Sequence, residues 1–236
     1  MKLFSLTILL SVFLYCTHTK TTDENKEYHV NKIEAAQLNI NGQGSSPLWS
    51  NADELTDFTI PWYNVEPQAT SFRALWSDDN FYFLYVAEDD DVVAPGKDGD
   101  KRGVLPSDRV ELFFKANGAM DPYYCLELDP RNRVLDYIAR FYRDSDFDWS
   151  WPEGHLEIKA SVNDKGYIVE GRISMESLKD MEILQNNEMI TGLFRGDYNH
   201  ISQEETEVTW ITWVHGGSEK PDFHIESVYG KLILQD

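Results

Sequence analysis

The strongest constraint on the fold is a succession of short apolar runs separated by clusters of Gly, Pro, Asn and Asp. Runs of this kind include FYFLYVAE, DRVELFFKA, YYCLELD, YIVEGRIS, VTWITWV and GKLIL. Each is long enough for one strand, and the polar clusters between them are typical of turns. Only SMESLKDMEIL, residues 174–184, spaces its apolar side chains as a helix does. The pattern predicts an all-β protein, an antiparallel β-sandwich with one short helix.

Charge narrows the class of ligand. The 236 residues carry 41 acidic and 21 basic side chains, a formal net charge of −20. Such a chain repels nucleic-acid phosphates and anionic lipid headgroups, so we expect neither as a partner. Neutral ligands and cations are compatible with it. No internal repeat and no second block of composition divides the later chain, so we predict one domain over residues 28–236.

The N-terminal stretch MKLFSLTILLSVFLYC combines an early lysine with an apolar run shorter than the ~20 residues that span a bilayer. We therefore predict an export signal over residues 1–16. Cys16 ends the apolar run and a polar stretch follows, which resembles a bacterial lipoprotein signal whose cysteine is lipidated. Residues 17–27 would form a flexible tether that anchors the domain at the cell envelope. Ordinary secretion is the alternative.

The stretch DRVELFF places charges within a strand. Side chains alternate between the two faces of a strand, so Val110, Leu112 and Phe114 share one face. Arg109 and Glu111 lie on the other face, away from the core.

Two other strands repeat this pattern, with Glu127 in YYCLELD and Arg195 in GLFRGDY on their charged sides. If these strands are neighbours, their charges form one surface with aromatic residues among them. One interpretation is cross-strand ion pairing on a solvated face. The other is a ligand-binding face.

Five segments, in order, resemble a known family. The first is PLWSNADELTDFTIPW; TSFRALWSDDNFYFLYVAEDDDV, SDRVELFF and GYIVEGRISMESL follow, and WITWVHGGSEKPDFHIESVYGKLIL is the last. Their order and spacing, from about residue 33 to residue 234, resemble the carbohydrate-binding module family 9 domain. The resemblance implies a β-sandwich that binds glycan, usually at sugar chain ends, with calcium as a structural ion. It also implies that two tryptophans hold the sugar and that charged side chains bind its hydroxyls.

The resemblance implies roles for individual residues. Glu111 matches the carboxylate of the family's D-x-V-E strand, and Phe223 matches the second tryptophan, seven residues before Gly230. Leu105 stands where the first tryptophan is expected, so the aromatic clamp is weakened. Trp210 is assigned to the core. The predicted carbohydrate-binding residues are Glu111, Phe223, Arg109, Glu127, Trp151, Trp213 and Arg195.

An acidic run, EDDDVVAPGKDGDK, suggests a calcium site. Calcium takes several oxygen ligands from carboxylates and carbonyls. Asp89, Asp91, Asp98 and Asp100 could supply them, although acidic loops are commonly just solvated.

Three functions fit these observations. The first is noncatalytic glycan binding, which supports polysaccharide capture or degradation beside separately encoded glycoside hydrolases. The second is glycoside hydrolysis by a carboxylate pair, Glu111 and Glu127, if adjacent strands bring them together. The third is a haem-binding electron-transfer sandwich, for which the sequence identifies no axial ligands. We predict the first.

Overall fold

A computed structural model describes residues 26–34, 38–63, 65–200 and 202–236. The predicted export signal, Cys16 and the predicted tether up to residue 25 lie outside the described residues. The strands are β1 (Glu27–Lys32), β2 (Thr70–Trp76), β3 (Asn80–Glu88), β4 (Arg109–Lys115), β5 (Tyr123–Leu128), β6 (Val134–Arg140), β7 (Asp144–Asp146), β8 (Leu156–Asn163), β9 (Gly166–Ser174), β10 (Leu184–Gln185), β11 (Glu188–His200), β12 (Thr206–Thr212) and β13 (Gly230–Gln235).

Hydrogen bonds join the strands into one curled sheet in the order β7-β6-β5-β4-β11-β13-β1-β2-β3-β9-β8, with β10 and β12 paired to β11. The pairs are antiparallel except for those of β1, which runs parallel to β13 and β2. A parallel pair needs a long crossover connection, and residues 33–69 supply one between β1 and β2. The predicted all-β sandwich is confirmed, and β1 is its parallel exception.

The main core lies between the two halves of the curled sheet. Val110, Leu112 and Phe114 of β4 are fully buried there, as the alternation predicts. Each such side chain contributes about 1.5–3 kcal/mol when it is removed from water. Across the core, the Tyr85 hydroxyl of β3 donates to the Glu111 carbonyl oxygen at 3.1 Å. The two halves are therefore held together by packing and by this buried hydrogen bond.

A second apolar cluster covers the opposite face of β4 and β11. It includes Phe113, Tyr123 and Phe194 from the sheet, with Phe223 and Tyr229 from residues 221–229, which we call the C-terminal segment. Because this segment covers the outer face, every residue of β4 is buried. The charged face of β4 does point away from the main core, but the interpretation of a solvated surface is wrong.

The predicted helical segment 174–184 contains one helix, α1 (Met175–Asp180). Ser174 caps it, since its hydroxyl oxygen accepts from the Ser177 amide at 3.0 Å. Met175 and Leu178 pack into the main core. The helix is shorter than the apolar spacing suggests because the chain enters β10 at Leu184. Among the described residues, no helix combines the length and apolar character needed to cross a membrane.

Candidate functional site

A pocket of about 220 Å³ opens on the outer face of β4 and β5, beneath the C-terminal segment. We call it the Arg109 pocket. Its floor contains Arg109, Glu111 and Phe113 from β4 and Glu127 from β5. Its walls come from β12, from the turn after β6 and from the C-terminal segment. The wall residues are Trp210, Arg143, Pro221, Asp222, Phe223 and His224.

One guanidinium and two carboxylates form the charged part of the floor. Strand register places Glu111 directly opposite Glu127. Arg109 Nε lies 2.9 Å from Glu111 Oε1 and 2.7 Å from Glu127 Oε2. The Tyr137 hydroxyl donates to Glu127 Oε1 at 2.9 Å. All three charged side chains are at least 95% buried, so they form a fixed array of hydrogen-bonding groups at the base of the pocket.

Burial changes the protonation of this array. Burial and the neighbouring Glu127 carboxylate raise the pKa of Glu111 to about 8, against the opposite effect of Arg109. Burial alone would lower the pKa of Arg109, but the two carboxylates outweigh it and hold the guanidinium charged. At neutral pH Glu111 therefore holds a proton, and beside the Arg109 guanidinium the array contains both donors and acceptors.

Trp210 forms an aromatic wall beside the array. The Arg109 guanidinium lies 5.1 Å from the Trp210 ring centroid, a cation–π contact. The backbone holds Arg109 in place, because its Nη1 donates to the Leu105 carbonyl oxygen at 2.8 Å. A Cβ at Gly196 would lie 3.1 Å from the indole, so the glycine makes room for this ring. Trp210 is half-buried and presents an aromatic surface to the pocket.

Phe223 and His224 form the adjoining wall, because the Phe223 ring meets the Trp210 ring edge to face with centroids 5.4 Å apart. The Phe223 ring stacks on Phe194 with centroids 4.0 Å apart and planes 8° apart. His224 Nδ1 lies 2.9 Å from the Tyr123 hydroxyl. Burial and the nearby Arg143 lower the pKa of His224 to about 4, so the imidazole is neutral at physiological pH. This wall is therefore uncharged and anchored to the sheet beneath it.

The rim of the pocket is closed by contacts between the C-terminal segment and the turn after β6. Arg143 Nη2 donates to Asp222 Oδ1 at 2.9 Å, and the Tyr142 hydroxyl donates to Asp222 Oδ2 at 2.7 Å. Tyr142 and Arg143 are exposed. These bonds tie two segments that are distant in sequence.

The structure brings four of the seven predicted residues together: Glu111, Phe223, Arg109 and Glu127 line one pocket. Arg195 does not join them. It pairs with Val110 across the β4–β11 ladder, whereas Phe194 pairs with Glu111. Because directly opposed residues share a face, Arg195 points into the interior, and its predicted role in the sugar site is corrected.

Trp151 and Trp213 are also corrected. Both are buried in the main core, 6% and 1% exposed, so neither ring can lie against a sugar. The Trp151 indole donates to the Ser177 hydroxyl at 3.1 Å, beside α1. Trp213 follows β12 and its ring packs so closely on Gly230 that a Cβ there would lie 2.5 Å from it.

Trp210, assigned to the core from sequence, lines the pocket instead. The signal was present in VTWITWV, because alternation places Trp210 and Trp213 on opposite faces of the chain. Arg143 and Asp222 were missed altogether. They meet only through the fold, 79 positions apart, and no local pattern marks them.

The four predicted calcium ligands do not converge. Asp91 pairs with His200 at 3.0 Å and Asp98 with Arg131 at 2.6 Å. Asp100 caps a short 3-10 helix by accepting from the Arg102 amide. Asp89 alone belongs to a carboxylate cluster. Within the described ranges, the group close enough to share an ion is Asp89, Asp108 and Asp197.

That cluster does not fit a calcium ion, because a guanidinium already lies within it. Arg195 Nη2 is 3.0 Å from Asp89 Oδ2 and 2.9 Å from Asp197 Oδ1. Both Asp108 oxygens accept backbone N–H bonds, from Tyr198 and Val93. Burial raises the pKa of Asp108 to about 8, which leaves it neutral. One cation and one proton thus balance much of the negative charge.

A family model described as "Carbohydrate family 9 binding domain-like" matches residues 40–236. No curated protein matches the sequence.

Among solved structures, a candidate carbohydrate-binding protein from Bacteroides uniformis is similar, with a TM-score of 0.67 and 18% identity, over 89% of this chain and 99% of that one. A carbohydrate binding module family 9 from Caldicellulosiruptor kristjanssonii is also similar. Its complex with cellotriose gives a TM-score of 0.54 and 14% identity, over 89% and 94% of the two chains. Its complex with glucose gives 0.52 and 16%, over 89% and 96%. At these identities the likeness shows a shared fold.

Proposed function

This chain belongs to the carbohydrate family 9 binding domain-like family, and we propose that it binds carbohydrate without transforming it, in the Arg109 pocket. The observation that carries the proposal is a buried array of donors and acceptors beside an aromatic wall. Sugars need both, because their hydroxyls form hydrogen bonds and their C–H faces pack on aromatic rings. The structural neighbours bound to glucose and cellotriose share the fold and support this choice of ligand.

The geometry favours binding over hydrolysis. A glycosidase needs its two carboxyl groups on either side of the bond that breaks, about 5–9.5 Å apart depending on the mechanism. Here Arg109 Nε lies between Glu111 and Glu127, within 2.9 Å of an oxygen of each. A sugar cannot enter between two carboxylates that both contact the same guanidinium nitrogen. The array therefore acts as a fixed hydrogen-bonding base.

A haem site is not favoured either. Among the described residues that line the Arg109 pocket there is no methionine, and the one imidazole, His224, is bound to the Tyr123 hydroxyl.

We also propose that the protein is exported to the cell envelope. The apolar run before Cys16 supports export and lipid anchoring, with secretion as the alternative. An exported binding domain of this kind would capture polysaccharide fragments beside separately encoded glycoside hydrolases.

The test is calorimetric titration of the protein with glucose, cellotriose and the corresponding xylose and mannose saccharides. We expect saturable binding to at least one saccharide and no release of reducing sugar. Trp210→Ala should weaken that binding about tenfold, since an aromatic platform contributes roughly 0.5–1.5 kcal/mol beyond buried area. Trp210→Phe should retain most of it. Release of reducing sugar, or binding to none of these saccharides, would overturn the proposal.

A further inference from the structure

A second, larger cavity lies on the same face of the sheet. We call it the Lys115 cavity; its volume is about 680 Å³, about three times that of the Arg109 pocket. Lys115 and Ile190 lie at its base, and Ile225 and Phe141 come from the segments around it. A smaller cavity of about 330 Å³ shares Lys115 and Ile190 with it and continues toward β10. The two cavities are therefore adjacent.

Three elements line both the Lys115 cavity and the Arg109 pocket: β4, the C-terminal segment and the turn after β6. On β4, Phe113 lines the pocket and Lys115, two residues further on the same face, lines the cavity. In the C-terminal segment, residues 221–224 line the pocket, and residues 225–227 and Tyr229 line the cavity. In the turn after β6, Arg143 belongs to the pocket and Phe141 to the cavity. The two sites are therefore adjacent, separated by the exposed Tyr142–Asp222 contact.

The lining of the Lys115 cavity suits a carbohydrate. Phe141 is 59% exposed, which is unusual for a phenylalanine and leaves its ring open as a platform. Lys115 Nζ is bonded to Glu226 Oε1 at 2.7 Å, and the Glu226 side chain is 62% exposed. Lys231 adds another charged donor. An open ring with a few charged donors and acceptors can pack on a sugar and bind its hydroxyls.

We propose that the Lys115 cavity binds the continuation of an oligosaccharide whose terminal ring occupies the Arg109 pocket. The inference rests on the proposed function of that pocket. A chain of several sugars crosses the Tyr142–Asp222 contact and places later rings against Phe141. Because the later rings gain contacts with Phe141 and with the charged side chains of the Lys115 cavity, the protein binds oligosaccharides more tightly than monosaccharides.

The experiment compares chain lengths in calorimetric titrations of the folded chain. The probes are glucose, cellotriose and cellohexaose, with the matching xylose and mannose series. We expect the hexasaccharide of the bound series to bind at least tenfold more tightly than its monosaccharide, with one hexasaccharide per protein. Phe141→Ala should weaken hexasaccharide binding about tenfold and leave monosaccharide binding unchanged. Phe141→Trp, which keeps an aromatic ring at this position, should bind the hexasaccharide about as tightly as the wild type does.

The matched control is Val162→Ala, which removes an equally exposed apolar side chain, 55% exposed on β8. It should change neither affinity. If the wild type binds no saccharide, the proposed function fails and this inference fails with it. If the wild type binds monosaccharide and hexasaccharide equally, or two hexasaccharides, or if Phe141→Ala leaves hexasaccharide binding intact, only the second subsite is overturned.

Discussion

Burial moves the pKa of Glu111 from the acidic range into the neutral range. Its pKa is about 8 in the folded protein and 4.5 in its ordinary state. Between these values the folded protein holds a proton that the unfolded chain has released. The stabilising contribution is therefore present in full below pH 4.5 and is lost as the pH rises through 8.

We expect the free energy of unfolding to fall as pH rises from 6.5 to 8.5, by at most about 1.4 kcal/mol per pH unit for each proton. Asp108, whose pKa is also raised to about 8, contributes in the same direction. Glu111→Gln, which keeps the shape of the protonated side chain, should reduce this slope. Urea denaturation at several pH values measures it.

The measurement starts at pH 6.5 because the titration of His224 affects stability only below that pH. Its lowered pKa changes the free energy of unfolding in the opposite direction. Folding favours its neutral form, so its contribution rises with pH between about 4 and 6.5. An unfolding free energy with the same slope in the wild type and in Glu111→Gln would show that Glu111 titrates normally.

At the residue scale, the sequence predicts faces better than it predicts exposure. Period-two alternation separates Val110 from Glu111 correctly, and it also separates Trp210 from Trp213. It could not show that Glu111 is covered, because the C-terminal segment, which covers this face of β4, begins more than a hundred positions later. Nor could it show that Arg195 faces the interior, because the β4–β11 register is a long-range property.

At the scale of elements, the C-terminal segment decides the site. It covers the outer face of β4 and β11 and supplies walls to the Arg109 pocket and the Lys115 cavity. It ends at Tyr229, immediately before β13 begins at Gly230. The position allows no larger residue, since a Cβ on Gly230 would lie 2.5 Å from the Trp213 ring and 2.8 Å from the Lys26 carbonyl oxygen. Glycine here fixes the approach of β13 to the core.

Gly230→Ala should destabilise the protein by about 1–3 kcal/mol, because overpacking forces the Trp213 ring or the backbone to shift. It should also weaken saccharide binding, since the shift moves the C-terminal segment. Urea denaturation and calorimetric titration measure the two effects.

Gly118→Ala is the matched control, because a Cβ there meets only Glu226 Oε1, at 3.7 Å. Its unfolding free energy should stay within about 0.5 kcal/mol of the wild type. Equal stability of the two alanine variants would mean that the contact between Gly230 and Trp213 is not tight.

Most of the longer strands were predictable because they are short apolar runs between turn residues, whereas β7 has no apolar side chain to mark it. The parallel pairs of β1 were not predictable, because pairing direction depends on the long connection over residues 33–69 and on the return of β13 to the same place. The roles of the carboxylates in the acidic run after β3 could not be predicted either, because they also depend on long-range contacts. Its carboxylates look alike in sequence, but only Asp89 points to a cluster, while Asp91 and Asp98 each meet a different basic side chain.

At the scale of the whole molecule, Arg195 joins the two halves of the curled sheet. From β11 it reaches Thr70 of β2 with a hydrogen bond of 3.1 Å and Asp89 beyond β3 with one of 3.0 Å. Its guanidinium lies 5.5 Å from the Tyr167 ring centroid of β9. Arg195→Met should destabilise the protein by about 3–5 kcal/mol, because it leaves buried carboxylates without their cation. Thermal and urea unfolding measure the loss.

The same arrangement predicts how the protein responds to calcium. In the wild type, Arg195 supplies the positive charge between Asp89 and Asp197, so a divalent ion would meet a guanidinium as well as carboxylates. We expect a chelator to leave the unfolding temperature unchanged and millimolar calcium to leave it unchanged too. In Arg195→Met, the freed carboxylates can accept the ion, so calcium should recover part of the lost stability. A wild-type unfolding temperature that falls on chelation would mean that calcium binds the cluster despite Arg195, and the family's structural ion would then belong to this chain as well.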